Sequence, residues 1–335
     1  MNNHSQGRFQ QPFLVSEEDI NMAALLTDLA PRRLAQGDLR SDLDLTAPEL
    51  VALLDLTIQL KRNPGRYATA LKGRYLSLLF EKPSLRTRIT FELAIKQLGG
   101  DAILSTGPIG EREPLRDVAR NLDRWTHGIV ARTFSQQTVE ELAQWSSVPV
   151  INALSDRFHP CQALADMVTL KERFGAFRGL KLAFIGDGNN VAHSLMLQLS
   201  RLGADFAIAT PQGHEPEPGI VAQARSFAWE TGAKFEVCRD PYEAVRGAHA
   251  VYTDVWASMG QEAEAEQRKA NFAGYQVSEN VMAAAREDAI FMHCLPAKRG
   301  QEVTDAVMEF PRSVVFDQAE NRLHAQKALL LMLLP

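Results

Sequence analysis

The sequence has no apolar run long enough to cross a bilayer. Its longest, Ala328 to Leu334, falls far short of the roughly 20 residues a membrane helix needs. It has three cysteines, Cys161, Cys238 and Cys294, an odd number without a framework spacing. That argues against a disulfide-stapled scaffold and points to a reducing, cytoplasmic setting. It has no Lys/Arg block: 36 basic against 41 acidic residues leave a formal charge of −5, so no nucleic-acid partner is expected. It has no internal repeat, no low-complexity segment and no apolar core of a secretory signal. Glu17, Glu18, Asp19 and Asp28 speak against an organelle-targeting peptide, which would be poor in acids. What is left is a globular composition over 335 residues, enough for about two domains.

Residues 1–40 stand apart as an N-terminal extension. "MNNHSQGRFQQPF" is polar and aperiodic and reads as a loose arm. Ser16 to Leu34 has the pattern of an amphipathic helix. Beyond it, Thr46 to Leu60 reads as a helix opened by a capping box of Thr46 and Glu49. Tyr75 to Phe80 reads as a strand and Leu85 to Leu98 as a helix. Further strands are expected over Val148 to Asn152, Lys181 to Ile185, Phe206 to Ala209, Lys234 to Val237, Ala250 to Tyr252 and Ala289 to Met292. Strands alternating with helical patterns predict an α/β chain of two doubly wound domains with parallel sheets. In such sheets ligands sit beyond the carboxyl ends of strands.

Polar residues gather at those ends. After Tyr75 to Phe80 comes "SLRTR", Ser84 to Arg88. Free N–H groups and the positive dipole at a helix start favour an anion, and hydroxyls and guanidinium forks add charge-assisted bonds to phosphate. The plainer reading is an N-cap serine with solvated arginines. The other ends carry "HPCQALAD" (His159 to Asp166), "GDGNN" (Gly186 to Asn190), "TDVWASMG" (Thr253 to Gly260) and "HCLPAKRG" (His293 to Gly300), with "DQAENRLH" near the C-terminus. His159 with Cys161, or His293 with Cys294, lacks the spacing of a structural zinc site, so no metal is expected. "GDGNN" has Val191 in place of the third glycine of a dinucleotide fingerprint, which weakens a nicotinamide reading, and no cofactor is expected.

"SLRTR", "HPCQ", "GDGNN", "DVWASMG", "HCLP" and "ENR", in this order from about Ser41 to the end, resemble the ornithine carbamoyltransferase family. The resemblance implies a carbamoyl phosphate-binding domain over 41–160 plus 318–335 and an ornithine-binding domain over 161–317. The C-terminal helix is expected to pack back on the N-terminal domain, and the assembly to be a homotrimer or a set of trimers. It implies that carbamoyl phosphate meets Ser84, Leu85, Arg86, Thr87, Arg132, His159, Gln162, Cys294, Leu295 and Arg322, and that ornithine meets Asn190, Asp254, Ser258 and Met259. Arg86, His159, Cys294 and Arg322 are then the catalytic set. The resemblance implies citrulline as the product, in arginine biosynthesis, and the short apolar runs lead to no expectation of a membrane partner. Leu85 stands where many members carry Thr, and Pro108 near where many carry Gln. "DVWASMG" selects free L-ornithine over N-acylated ornithines, putrescine and aspartate, with an N-acylated ornithine as the alternative. A nicotinamide-dependent oxidoreductase and a non-catalytic ligand-binding homologue also stay open.

Overall fold

The computed structural model describes residues 33–257 and 264–334. The helix expected over Ser16 to Leu34 lies outside these residues except for Arg33 and Leu34, which are not helical. Ser258 and Met259 also lie outside them.

Among the described residues, nine strands form two parallel sheets. In the first, β1 (Tyr75–Phe80), β2 (Asp101–Thr106), β3 (Gly128–Arg132) and β4 (Val150–Leu154) lie in the order β2-β1-β3-β4. In the second, β5 (Lys181–Ile185), β6 (Asp205–Ala209), β7 (Phe235–Cys238), β8 (Ala250–Thr253) and β9 (Ile290–His293) lie in the order β7-β6-β5-β8-β9. Helices α1 (Ala47–Arg62), α2 (Leu85–Gln97), α3 (Leu115–Trp125), α4 (Gln136–Trp145), α5 (Pro160–Phe174) and α6 (Asn190–Leu202) surround and connect them. They continue with α7 (Pro218–Thr231), α8 (Pro241–Val245), α9 (Ala265–Asn271), α10 (Glu279–Ala283), α11 (Asp305–Met308) and α12 (Val315–Leu333).

Strand periodicity assigns the faces. Leu76, Leu78, Val130, Ile151, Leu182, Phe184, Phe206 and Tyr252 enter one continuous core that includes both sheets and α12. Their neighbours on the opposite faces fill two smaller cores: Leu79, Ile129, Ala131 and Val150 in the first sheet, and Ala183, Ile185, Val251 and Phe291 in the second. Both sheets are therefore covered on both sides, as short unbroken apolar runs require. The capping box of α1 forms as expected: Thr46 Oγ1 accepts from the Glu49 N–H, and Glu49 Oε2 accepts from the Thr46 N–H at 2.9 Å. The C-terminal helix α12 packs on α1 and α2 of the first half, and on α5.

The expected strands recur, β1 and β5 with the same ends and the others with ends moved by one or two residues, most at β4, which extends to Leu154 to pair with Arg132. Two strands were not expected. β2 is an exposed edge strand, so "DAILST" carries no core face to betray it. β3 is fully buried, but "GIVAR" is short and opens on a glycine.

Each sheet reverses its winding once. In the first the reversal lies between β1 and β3, in the second between β5 and β8. A crevice opens at the carboxyl ends at such a point, because the connections leave toward opposite faces. The chain segments leaving β1, β3, β5 and β8 are those that carry Ser84 to Arg88, Arg132, Asn189 and Asp254.

Candidate active site

At the first crevice, Ser84 occupies the N-cap of α2 with extended backbone (φ −154°), yet its hydroxyl makes no capping bond. Capping therefore does not account for this serine. Thr87, buried one turn on, gathers two guanidinium groups: its hydroxyl accepts from Arg132 at 3.4 Å and from Arg322 at 2.5 Å. Arg132 is the last residue of β3 and Arg322 projects from α12. With Arg86 they form a cluster of like charge. Burial first, then the charges of Arg322 and Arg86, push Arg132 down to about 10. Burial also lowers Arg322. Among the described residues none of the three forms an ion pair with a carboxylate. Bringing unpaired cations together inside a protein is costly, so the cluster has the character of an anion site.

His159 caps the start of α5 with its backbone, and its N–H donates to Ser194 Oγ at 2.9 Å. Ser194 in turn donates to Asp42, which ties α5, α6 and the chain before α1 together. Burial, then Arg322 and Arg132, push the imidazole well below its ordinary value, so it is neutral near pH 7. His159 Nδ1, Gln162 Oε1, Arg132 Nε and Arg322 Nε are buried without a protein partner. Buried polar atoms are normally satisfied, and here four unsatisfied ones belong to one site.

The second crevice has the opposite character. Asp254 follows β8 and is 7% exposed. Its carboxylate accepts from Asn189 Nδ2 at 2.8 Å, from the Val255 N–H at 2.8 Å and from the Cys294 thiol at 2.9 Å. Asn189 is also the N-cap of α6, its Oδ1 accepting from the N–H groups of Val191 and Ala192. The same amide thus fixes the helix and aims the carboxylate. Burial, then Asp254, push the Cys294 thiol well above its ordinary range, so it keeps its proton at neutral pH. Asn190 Nδ2 donates to the Ser155 carbonyl at 2.6 Å, joining the second half to the first. Cys294 and Arg322 are close enough for each to shift the other's titration, so the two crevices lie near one another.

Leu295 adopts a left-handed φ of 57°, a strained conformation for a branched residue. Its N–H donates to His293 Nδ1 at 2.9 Å, and His293 Nε2 lies 3.3 Å from Glu302 Oε1. Asp254, His293 and Cys294 bring possible metal-binding atoms within 4.8 Å of one another. Both ring nitrogens and the thiol are already engaged in the bonds above, so a metal would have to displace them.

Chemically, the arrangement suits a ligand pair that is anionic at one end and cationic at the other, meeting between His159 and Cys294. The aspartate/ornithine carbamoyltransferase carbamoyl-P binding domain matches residues 38–172, and the Asp/Orn binding domain of the same family matches 178–333. The chain belongs to this family. The ornithine carbamoyltransferase of Gloeobacter violaceus is 51% identical over 300 residues, which is 89% of this chain and 95% of the relative. The anabolic ornithine carbamoyltransferase of Pyrococcus furiosus is 48% identical over 90% of this chain and 97% of its own. The solved ornithine carbamoyltransferase of that organism superposes with a TM-score of 0.85, 48% identity, and coverage of 91% and 98%. A solved acetylornithine transcarbamylase in complex with acetylcitrulline has the same fold, with a TM-score of 0.79 and 31% identity over 91% of this chain and 99% of that one.

The family motifs thus meet in space. Arg86, Thr87, Arg132, His159, Gln162 and Arg322 surround the first crevice, with Ser84 and Leu85 at the start of α2. Leu85 is 66% exposed, so its side chain faces away from the buried cluster, and its place at the first helical position leaves the backbone N–H for an anion. Asp254, Cys294 and Leu295 lie at the second, with Asn190 at the seam. Four participants were not singled out from the sequence: Asn189, Asp166, Tyr252 and Gln318. Asn189 was within reach, since "GDGNN" places it where an N-cap is required. Asp166 and Tyr252 are polar groups inside otherwise apolar patterns, and Gln318 is one of the polar run "DQAENR"; only their burial sets the three apart.

Proposed function

We propose that this chain transfers the carbamoyl group of carbamoyl phosphate to the δ-amine of L-ornithine, giving L-citrulline and phosphate in arginine biosynthesis. The observation that carries the proposal is the opposition of the two crevices: three unpaired guanidinium groups at one, and a buried, oriented carboxylate at the other. Ser84, Leu85, Arg86, Thr87 and Arg132 hold the phosphate. His159, Gln162, Leu295 and Arg322 meet the carbamoyl group, with Gln162 Oε1 accepting from its amino group. Asp254 binds the α-ammonium of ornithine, and Asn190, Ser258 and Met259 complete the amino-acid site. The ligand-binding halves are assigned to 41–160 with 318–335 for carbamoyl phosphate and 161–317 for ornithine.

The reaction needs no covalent intermediate, since carbamoyl phosphate is already activated and the protein contributes position and charge. The neutral δ-amine attacks the carbonyl carbon. The oxyanion that forms accepts from Arg86, Arg322 and the neutral His159 ring. The C–O bond to phosphate then breaks, and the proton lost from nitrogen goes to the departing phosphate. Cys294 is a poor acceptor for it, because its thiol is already protonated and donating to Asp254. An alkylamine with a pKa near about 10.4 is neutral in only about one molecule per few thousand at pH 7, so a closed site must favour that form by desolvation.

An N-acylated ornithine would place a neutral amide where Asp254 calls for a charge. A site built around buried polar partners rejects analogues that leave them unpaired. Side-by-side assays with ornithine, N-acetylornithine, N-succinylornithine, lysine, putrescine and aspartate should favour free ornithine at least about a hundredfold in kcat/KM. Preference for an acylated ornithine would overturn the acceptor assignment and leave the phosphate site standing.

The assembly we propose is a homotrimer or a set of trimers. Leu85, Ile89 and Leu93 form an exposed apolar stripe along α2, beside Ile103 and Leu104 of β2, and α2 begins in the phosphate site. The free thiols fit a cytoplasmic location. No helix among the described residues is long and apolar enough to cross a membrane.

A further inference from the structure

Behind Gln162 lies a buried polar network whose direction is fixed at one end. Asp166 sits one turn further along α5 and is fully buried. Its Oδ1 accepts from Gln162 Nε2 at 2.9 Å and from Gln318 Nε2 at 2.7 Å, and its Oδ2 accepts from the Tyr252 hydroxyl at 3.1 Å. Gln318 Oε1 accepts from the backbone N–H of His293 at 3.0 Å. A backbone N–H only donates. Gln318 must therefore turn its oxygen to His293 and its nitrogen to Asp166. Burial pushes Asp166 up to about 7, and the three donors hold it down. The carboxylate form accepts from all of them. Gln162 is then obliged to give its nitrogen to Asp166, which leaves Oε1 as the buried, partnerless atom on the same turn as His159.

We propose that Asp166 is a positioning residue that sets the donor–acceptor sense of Gln162, so that Gln162 Oε1 faces the ligand and selects a carbamoyl phosphate over an acyl phosphate lacking the amino group. The inference rests on the transferase reading above and deepens it. With the amide reversed, N–H would face N–H and the carbamoyl amino group would be repelled. With acetyl phosphate, a methyl group replaces the amino group and Oε1 stays buried without a donor. Leaving such a group unmet costs enough to weaken binding about tenfold or more.

The test is the ratio of dissociation constants, acetyl phosphate over carbamoyl phosphate, measured by titration calorimetry without ornithine. The wild-type ratio should be at least about ten. Asp166→Leu frees Gln162 to turn, so the ratio should fall toward one, through weaker carbamoyl phosphate binding with acetyl phosphate nearly unchanged. Gln162→Leu should give the same fall, and the double variant no further one. Asp166→Asn should keep the ratio. Its oxygen can stay at the Oδ1 position, because the flipped amide would set N–H against the fixed nitrogen of Gln318. Equal weakening of both ligands by Asp166→Leu would overturn the proposal. So would collapse of the ratio in Asp166→Asn, which would mark a role for charge, or an unchanged ratio in Gln162→Leu. The last two outcomes remain decisive even if Asp166→Leu does not fold. Citrulline formation by the wild-type protein is measured alongside: its absence sinks the transferase reading, whereas activity with an unchanged ratio in Asp166→Leu sinks only the role of Asp166.

Discussion

Replacing Arg132 by methionine should make the ligand-free protein more stable and the enzyme nearly inert. Arg132 is 7% exposed, has one long bond to Thr87 at 3.4 Å, leaves Nε unpartnered, and stands beside Arg322 and Arg86. Its fall from the ordinary guanidinium value to about 10 corresponds to about 3 kcal/mol. Because the group is a base whose pKa is lowered on folding, the unfolded chain holds the proton more tightly. The penalty is thus fully present below about pH 10 and is relieved only as pH rises from there toward the ordinary guanidinium value. Methionine fills a similar volume without the charge, and imperfect packing will return part of the gain. A net stabilisation of about 1–3 kcal/mol is expected at pH 7. Urea unfolding in a buffer free of phosphate and sulfate measures it. Inorganic phosphate at a hundred times its Kd should then stabilise the wild type by about 2.7 kcal/mol and the variant much less, so the order of stabilities narrows or reverses. A variant that is less stable than the wild type without anions would refute the reasoning, since Arg132 would then be a structural residue and not a charge held in wait for a ligand.

Two further outcomes follow from the second crevice. Asp254→Asn should weaken binding of the unreactive analogue norvaline far more than that of carbamoyl phosphate, by about 1.5–3 kcal/mol for a lost charge-assisted bond; equal weakening by calorimetry would place Asp254 in the wrong half-site. Alkylation of Cys294 by iodoacetamide, followed by peptide mass spectrometry, should stay slow and nearly flat up to pH 9. It should quicken in Asp254→Asn, where burial still raises the thiol's pKa but the carboxylate that adds to it is gone.

Most of the fold was legible because parallel strands buried on both faces must be short apolar runs, and because helices between them need caps. Thr46 and Glu49 announced α1, and "YLSLLF" announced β1. The edge strand β2 escaped because a strand with no buried face has no pattern to show. The ends of strands named where to look, and "SLRTR", "HPCQ" and "HCLP" named residues that the fold gathers at the two crevices. The sequence did not disclose how those residues are held. That Asn189 aims Asp254, that Ser194 and Asp42 anchor His159, or that Gln318 orders Asp166 depends on contacts between distant segments, which no local pattern encodes. Nor did local reading separate a capping serine from a ligand-binding one: at Ser84 the backbone has the cap conformation and the side chain does not do the capping.

Helix α12 also bears on the order in which the molecule becomes competent during synthesis. Domains fold as units while the chain emerges, the N-terminal one first. By the time β4 has been made, the first sheet has all its strands, with Ser84, Arg86, Thr87 and Arg132 at its crevice. Arg322 comes only after the whole second sheet, and it is α12 that delivers it to the Thr87 hydroxyl. The same helix supplies Gln318 to the backbone of β9. A nascent chain carrying a folded first half thus holds the guanidinium cluster without Arg322, and Asp166 without the Gln318 amide that donates to it. A chain cut at the boundary between the sheets would therefore leave the guanidinium cluster of the first half incomplete.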